Sequence, residues 1–177
     1  MQTDTYLTLR DQFLLDPGII YLNHGSAGAT PRPVFESYQR WQRELEREPT
    51  EFMGRRASRL MEQSRQVLAA FLGTSSNNLA YVTNATTGLN VIARSLPLGP
   101  GDEVLSTNHE YGAMDKTWRF LAQKKGFSYK NHPIPVPVTT ADAFVDALWQ
   151  GVTPQTRVIY LSHITSPTSL IFPLEAV

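Results

Sequence analysis

Two stretches in the first half of the chain carry apolar residues at helical spacing. In the first stretch the apolar positions recur every three or four residues: Val34, Tyr38, Trp41 and Leu45. This spacing places them on one face of a helix that begins near Pro31 and Pro33. The second stretch, residues 55–72, is followed by Gly73, where a helix C-terminal cap is expected. We predict two amphipathic helices here, preceded by a short helix and loop over residues 4–18.

Short apolar runs then alternate with further helical patterns. The runs predicted as β-strands are residues 19–22, 79–82, 103–106, 127–129 and 157–162. The residues that mark the helices between them are Thr87, Trp118, Thr139 or Thr140, and Gly151. This strand–helix order predicts an α/β fold with a mainly parallel sheet. The final residues resemble the start of a helix that has no body, so we expect the chain to stop in mid-domain.

Three polar loops follow predicted strands: Thr83–Gly88, Thr107–Gly112 and Ser162–Thr168. In a parallel sheet, ligands gather at the carboxyl ends of the strands, so these loops should converge on one edge. Three such loops in succession predict a small-molecule site.

The Thr83–Gly88 turn has the features of an anion site. It lies between an apolar run and a helix, so unpaired backbone N–H groups and the helix dipole act at the same place. Thr86 and Thr87 can add two hydroxyl donors. No glycine-rich nucleotide-binding motif is present, so an ordinary mononucleotide or dinucleotide site is not indicated. The alternative is a threonine-capped helix start without a ligand.

Composition excludes several classes of protein. Lys and Arg together number 16, equal to Asp and Glu, which argues against a nucleic-acid or acidic-membrane surface. The absence of Cys excludes a disulfide scaffold, a thiolate metal site and a Cys nucleophile within the chain. The chain shows neither a secretory signal nor an apolar run long enough to span a membrane. We expect a cytoplasmic protein.

The segment Asn23–Gly28 is poor in large side chains. Gly25 and Gly28 permit a sharp turn or a close approach to a ligand, and Asn23 and His24 can bind polar groups. A plain turn before the next helix is the alternative.

Four motifs in this order resemble the class V aminotransferase group of fold-type I pyridoxal-phosphate enzymes, which includes the cysteine desulfurases. They begin at Tyr21 (YLNHGSAG), Thr83 (TNATTGLN), His109 (HEYGA, followed by Trp118) and Ser162 (SHITSPT). The nearest likeness is to the isopenicillin N epimerase-like branch, from about residue 20 to the last residue. The resemblance implies a three-layer α/β/α large domain, incomplete at the C-terminus. Residues 1–30 would form an N-terminal segment, and residues 31–177 the N-terminal part of the pyridoxal-phosphate-binding domain.

The resemblance also implies a cofactor site. Thr86 and Thr87, with the amide of Gly88, would hold the phosphate; the family usually has Glu where this chain has Gly88. Tyr111 would stack on the pyridine ring, where desulfurases have His. A tyrosine offers the same flat ring but lacks the imidazole that could transfer a proton, so a desulfurase is the less favoured interpretation.

Two further roles follow from the same resemblance. Ser166, or its neighbour Thr165, would donate a hydrogen bond to the phenolic oxygen of the cofactor. Asn23, His24 and Gly25 would lie on the substrate side. For His24, a surface or backbone-bonded histidine is the alternative.

The lysine that forms the cofactor Schiff base is expected beyond Val177, together with the Asp that pairs with the pyridine nitrogen. The lysines present do not match the family's cofactor lysine: Lys116, Lys124, Lys125 and Lys130. We therefore expect no catalytic residue within this chain.

Three hypotheses remain open. The chain is the N-terminal part of a homodimeric enzyme acting on an amino acid or amino-acid-like substrate, with epimerase, transaminase and lyase outcomes unseparated. Alternatively it is a non-catalytic domain that binds a phosphorylated ligand or a protein partner, or a truncated product without function. The cysteine desulfurases and lyases remain alternative relatives.

Overall fold

The computed structural model describes residues 9–177. They form two compact units, which divide between Ala80 and Tyr81. The first part of the helix expected over residues 4–18, including Leu7, lies outside the described residues. The domain boundary expected near residue 30 stays a prediction.

The first unit is helical. Its elements are α1 (His24–Ala27), α2 (Arg32–Arg47), a helical turn (Pro49–Glu51), a π-helical turn (Phe52–Arg56), α3 (Ala57–Leu72) and a 3-10 turn (Ser76–Asn78). Pro31 and Arg32 open α2, and its length confirms the first predicted helix. Gly73 ends α3 with φ 67°, a left-handed conformation that favours glycine.

Two predicted strands are absent from the structure. Residues 19–22 and 79–82 have no strand assignment, although Leu79 is extended, with φ −114° and ψ 133°. A strand requires a neighbour to satisfy its backbone hydrogen bonds. Within residues 9–177 the only sheet has three strands, and neither run pairs with it.

The second unit alternates helices and strands. Its elements are α4 (Ala85–Ser95), β1 (Glu103–Thr107), α5 (Gly112–Lys125), β2 (Ser128–His132), α6 (Ala141–Trp149), β3 (Thr156–Ile159) and a 3-10 turn (Leu174–Ala176). Thr140 caps α6 by accepting the Ala143 N–H at 3.1 Å, which confirms one of the two predicted caps. The predicted terminal helix is only the 3-10 turn.

The three strands form a parallel sheet in the order β2–β1–β3. Glu103 pairs with Ser128 at one end of β1, and Thr107 pairs with His132 at the other. The connection from β1 to β2 crosses the sheet in one direction. The connection from β2 to β3 crosses it in the opposite direction, past β1. Because such crossovers are right-handed, their helices α5 and α6 belong on opposite faces.

The core confirms this layering. Val104 packs with Ala93 of α4 and Trp118 of α5 on one face. The next residue, Leu105, packs with Phe144 of α6 and with Phe172 on the other. Successive residues of a strand point to opposite faces, so β1 is buried between two helical layers. The predicted three-layer α/β/α architecture is confirmed.

Two local expectations are corrected. Gln150, not Gly151, caps α6, and Gly151 is buried against the sheet. β3 ends at Ile159 and is only partly buried, with Arg157 exposed, because β3 is an outer strand of the sheet among the described residues.

Candidate active site

The N-termini of α4 and α5 lie at the same end of the second unit. Asn90 Nδ2 in the middle of α4 donates to Thr117 Oγ1 in the middle of α5 at 3.3 Å. Lys125 Nζ at the end of α5 donates to the carbonyl oxygens of Arg94 and Leu96 at 2.9 Å each. The middle of α4 contacts the middle of α5, and the C-terminal end of α4 contacts the C-terminal end of α5, so the two helices run parallel. The Thr83–Gly88 turn therefore lies at the edge where β1 ends and α5 begins.

The Thr83–Gly88 turn is held by an asparagine cap. Asn84 Oδ1 accepts the Thr87 N–H at 2.8 Å, and Thr83 Oγ1 donates to Thr87 Oγ1 at 3.2 Å. The Gly88 N–H donates to the Asn84 carbonyl at 3.2 Å as the first helical bond. The amides of Ala85 and Thr86 have no helical acceptor at this position. The first turn of α4 contains no acidic residue, so its field stays favourable to an anion.

These hydrogen bonds show that the three predicted phosphate-binding groups differ in how available they are to a ligand. Thr86 is partly buried, and its hydroxyl has no hydrogen bond within the described part of the chain. The Thr87 hydroxyl accepts from Thr83 and keeps its own proton for a ligand. The Gly88 amide is already committed to Asn84, so a phosphate would have to share it.

The second polar loop buries two side chains and exposes a third. His109 and Glu110 are 4% and 7% exposed, whereas Tyr111 is 49% exposed. Tyr111 also provides the N-cap position of α5. A phenol ring at the carboxyl edge with an open face can stack on a planar ligand.

Glu110 and His109 connect the second loop to the third. Glu110 Oε1 accepts the Ser162 N–H at 3.1 Å, and its Oε2 accepts the Ser162 hydroxyl at 2.5 Å. His109 Nδ1 lies 3.2 Å from Thr168 Oγ1. These contacts join the second and third loops, and the parallel direction of α4 and α5 places the Thr83–Gly88 turn at the same edge of the sheet. Neither of these connections had been predicted, and His109 had no assigned role.

The third loop distinguishes the two hydroxyls predicted to face the cofactor. Thr165 is 2% exposed, and its Oγ1 accepts the Leu170 N–H at 2.9 Å and bonds Thr168 Oγ1 at 2.7 Å. Ser166 is exposed, and its hydroxyl has no partner within residues 9–177. Ser166 is therefore the hydroxyl that is accessible to a ligand.

His163 follows the end of the predicted strand over residues 157–162. Its side chain is exposed, and its carbonyl accepts the Phe172 N–H at 2.9 Å.

The predicted substrate-side residues lie in the first unit. His24 opens the short helix α1, and its ring lies 4.9 Å from Tyr21 and 5.4 Å from Phe13 between ring centroids. The Tyr21 hydroxyl donates to the Ala27 carbonyl and so closes this segment. Asn23 and Gly25 are exposed. Their role toward a substrate stays a prediction.

Two of the lysines are engaged away from the site. Lys125 Nζ binds carbonyl oxygens at the C-terminus of α4, the opposite end from Thr86. Lys130 pairs with Glu103 at the start of β1, opposite the carboxyl edge.

A polar groove of about 300 Å³ lies beside the ends of β1 and β2 and includes Asp115, Arg119 and Asn131. Burial raises the pKa of Asp115, but hydrogen bonds from Arg119 and Asn131 lower it by more, so the pKa lies below its ordinary value. Burial raises the pKa of Tyr129, which packs nearby, to about 12. These residues satisfy one another, so the groove offers a polar wall rather than a free charge.

A membrane-spanning helix and a metal site are both absent from the described residues. No helix within residues 9–177 is long and apolar enough to cross a bilayer. The same residues contain no group of three or more His, Asp or Glu side chains arranged to hold a metal ion.

Two known proteins are similar in sequence to this chain over nearly its whole length. Isopenicillin N epimerase of Amycolatopsis lactamdurans is 34% identical over 176 residues, which cover 98% of this chain and 44% of that protein. Isopenicillin N epimerase of Streptomyces clavuligerus is 34% identical over 164 residues, covering 93% of this chain and 41% of that protein. The chain therefore spans less than half the length of these relatives.

The fold has a solved counterpart. A mutant of C-DES with glycine covalently linked to its PLP cofactor superposes with a TM-score of 0.83 at 25% identity, over 94% of this chain and 44% of that one. The family model for class V aminotransferases matches residues 20–177. Sequence, fold and the three convergent loops agree, and this chain belongs to the class V aminotransferase family.

Proposed function

We propose that this chain supplies the N-terminal part of a pyridoxal-phosphate-dependent enzyme that acts at the α-carbon of an amino acid or amino-acid-like substrate. The cofactor is pyridoxal 5′-phosphate, in keeping with the family and with the PLP-linked C-DES structure. When bound, the cofactor withdraws electrons from the substrate's α-carbon and so makes its proton removable. The residues of this chain bind and orient the cofactor.

The observation that carries the proposal is the geometry at the start of α4. Within residues 9–177 the amides of Ala85 and Thr86 have no hydrogen-bond acceptor, and they lie in the same helix turn as the hydroxyls of Thr86 and Thr87. A phosphate fits these donors because it carries several acceptor oxygens and negative charge. Asn84 fixes the turn without adding charge, so the field of the helix is preserved.

The other two loops favour an aromatic ring attached to that phosphate. Tyr111 supplies a half-exposed ring on the second loop, and Ser166 supplies a free hydroxyl on the third. Tyr111 would stack on the pyridine ring, and Ser166 would donate to its phenolic oxygen. The two epimerase relatives favour an epimerase-like reaction among those that begin with removal of the α-proton.

A cytoplasmic homodimer is part of the same proposal, as is the substrate-side role of Asn23, His24 and Gly25. We propose that the cofactor lysine is supplied by sequence outside this chain, because none of the four lysines lies in a context that matches the family's cofactor lysine, and Lys125 and Lys130 are bound elsewhere. This chain alone should therefore bind the cofactor without turning over a substrate.

The test is calorimetric titration of the chain with pyridoxine 5′-phosphate, which has the ring and phosphate but no aldehyde to react with surface lysines. We expect binding that inorganic phosphate competes away, and much weaker binding of pyridoxine. The variant T86V/T87V should weaken binding at least about tenfold, since hydrogen bonds to a charged group contribute roughly 1.5–3 kcal/mol each.

The matched control is Thr139→Val, at an exposed threonine outside the site. Equal affinity for pyridoxine and its phosphate would contradict the proposal, as would a T86V/T87V variant that binds like the control.

A further inference from the structure

His109 is a buried histidine that the cofactor contacts do not use. Its side chain spans from the second polar loop to the third. Nε2 lies 2.9 Å from the Ile134 carbonyl oxygen, and Nδ1 lies 3.2 Å from Thr168 Oγ1. The edge of its ring meets Phe172, with centroids 6.0 Å apart. Each polar atom of the ring therefore has one defined partner.

These partners fix the position of the imidazole proton. A carbonyl oxygen can only accept, so Nε2 carries the proton and donates to Ile134. In the neutral ring, Nδ1 then accepts the hydroxyl proton of Thr168. The Thr168 oxygen is left to accept from Thr165 Oγ1 at 2.7 Å, and Thr165 Oγ1 accepts the Leu170 N–H at 2.9 Å.

The result is a series of four hydrogen bonds in which each group donates to the next. It begins at the Leu170 N–H, passes through the hydroxyls of Thr165 and Thr168, crosses the ring of His109 and ends at the Ile134 carbonyl. The alternative acceptor for the Thr165 proton, the Leu170 carbonyl, is farther away at 3.4 Å.

The turn of residues 165–170, which these hydrogen bonds join to His109, contains one residue in an uncommon backbone conformation. Ser169 has φ 54°, a left-handed conformation that a residue with a side chain adopts at a cost in free energy. The Ser169 N–H donates to the Thr165 carbonyl, and the Thr165 N–H donates to the Leu170 carbonyl, both at 2.9 Å. Ser166 lies inside this closed turn, so its direction depends on how the turn is held.

We propose that His109 is a positioning residue for Ser166. By accepting from Thr168, the imidazole holds the turn of residues 165–170 and so aims the Ser166 hydroxyl. The part of this inference that concerns the cofactor rests on the proposed function. The part that concerns the turn stands on the described contacts alone.

Two substitutions of His109 each keep one of the two hydrogen bonds that its ring makes and remove the other. Asn has its terminal oxygen near the position of Nδ1, so His109→Asn keeps an acceptor for Thr168. Gln has its terminal nitrogen near the position of Nε2, so His109→Gln keeps only the donor to Ile134. The control is His163→Asn, because His163 is exposed and lies on the third loop, which also contains Thr168.

The experiment measures hydrogen exchange of the Thr165 and Leu170 amides by NMR in the ligand-free chain. We expect exchange about tenfold faster in H109Q than in the wild type, since losing one hydrogen bond changes local opening by about that factor. In H109N and H163N exchange should stay within about threefold. Exchange of the Leu105 amide in the buried sheet serves as the internal check that each variant is folded.

A second readout connects the turn to the ligand. H109Q should bind pyridoxine 5′-phosphate more weakly than H109N. Nitrogen NMR of the His109 ring should show the proton on Nε2. Unchanged exchange in H109Q, the reverse order of the two variants, or a proton on Nδ1 would overturn the inference. Failure of the wild-type chain to bind the ligand overturns the proposed function instead, and leaves the exchange result to decide the role of His109.

Discussion

The carboxylate of Glu110 holds Ser162 by two hydrogen bonds, one from its N–H at 3.1 Å and one from its hydroxyl at 2.5 Å. The two residues are 52 positions apart in the sequence. They join the loop after β1 to the segment after β3. Glu110 Oε1 also lies 3.2 Å from the Thr107 hydroxyl, so a carboxylate that is 7% exposed has a donor at every contact. This buried acceptor brings two of the three polar loops together.

Replacing this acceptor should destabilise the chain. In Glu110→Gln the negative charge is lost, so the hydrogen bonds from Ser162 and Thr107 are no longer charge-assisted and become weaker. We expect the free energy of unfolding to fall by about 1–3 kcal/mol. Urea denaturation followed by circular dichroism measures it. Glu175→Gln, at an exposed position, is the control, and equal midpoints for the two variants would contradict the role of Glu110.

The cap of α4 allows stability and phosphate binding to be separated. Asn84→Ala removes the acceptor for the Thr87 N–H and should cost about 1 kcal/mol. Asn84→Asp keeps the acceptor and should retain the stability of the ligand-free chain. The added negative charge lies beside the proposed phosphate, however, so N84D should bind pyridoxine 5′-phosphate more weakly than the wild type. Undiminished binding by N84D would argue against a phosphate at this helix end.

Glu103 should make the second unit sensitive to acid. Burial raises the pKa of this carboxyl, but Lys130 and the hydroxyls of Thr156 and Thr153 lower it more, leaving it below its ordinary value of 4.5. The unfolded chain titrates near that ordinary value. The stabilisation is therefore fully present above about pH 4.5 and is lost as the pH falls through the lower folded pKa.

Two variants test this acid dependence. Glu103→Gln should lower stability at neutral pH and flatten its dependence on pH below 4.5. Lys130→Met removes the cation, so it should move the loss of stability to higher pH. Thermal melts between pH 3 and pH 7 measure both effects. An acid limb in E103Q as steep as in the wild type would show that other carboxyls control it.

Gly151 should tolerate no side chain. A Cβ at this position would lie 2.8 Å from Cγ of His132 and 3.0 Å from Cδ1 of Leu105, in the buried layer between α6 and the sheet. Gly151→Ala should cost about 1–3 kcal/mol through overpacking. Gly99→Ala, where nothing lies within 4 Å, should change stability by less than about 0.5 kcal/mol. Denaturant midpoints compare the two, and a neutral G151A would show that the ring of His132 moves aside freely.

Gly151 also illustrates what the sequence could and could not predict. A glycine after a helical pattern suggested a cap, which is a local property. The structure requires glycine for a different reason, the close approach of His132 and Leu105. That approach depends on sheet register, which the local pattern does not contain. The periodic helices around Trp118 and Phe144 were predictable because a single helix determines which positions share a face.

The same distinction applies to the strands and to the site. The run 79–82 has strand composition, but pairing depends on a neighbour, and among the described residues the sheet provides none for it. The turn and helix start at Thr83–Gly88 could be predicted because they are local, although the cap is Asn84 and not the expected threonine. The role of His109 could not, since its partners Ile134 and Thr168 are 25 and 59 positions away. Its place two residues before Tyr111 was the only available signal.

The two neighbouring hydroxyls of the third loop should respond in opposite ways to substitution. The Thr165 hydroxyl is buried and bonded to Leu170 and Thr168, so Thr165→Val loses both hydrogen bonds and should cost about 1–3 kcal/mol. The Ser166 hydroxyl is exposed and unbonded within residues 9–177, so Ser166→Ala should leave stability within about 0.5 kcal/mol of the wild type.

If Ser166 donates to the phenolic oxygen, S166A should nevertheless bind pyridoxine 5′-phosphate up to about tenfold more weakly, the effect of one hydrogen bond. Urea denaturation and calorimetry on the same samples measure both quantities. Full affinity in S166A would remove Ser166 from the cofactor site, because the variant changes no contact within the turn that could compensate for the lost donor.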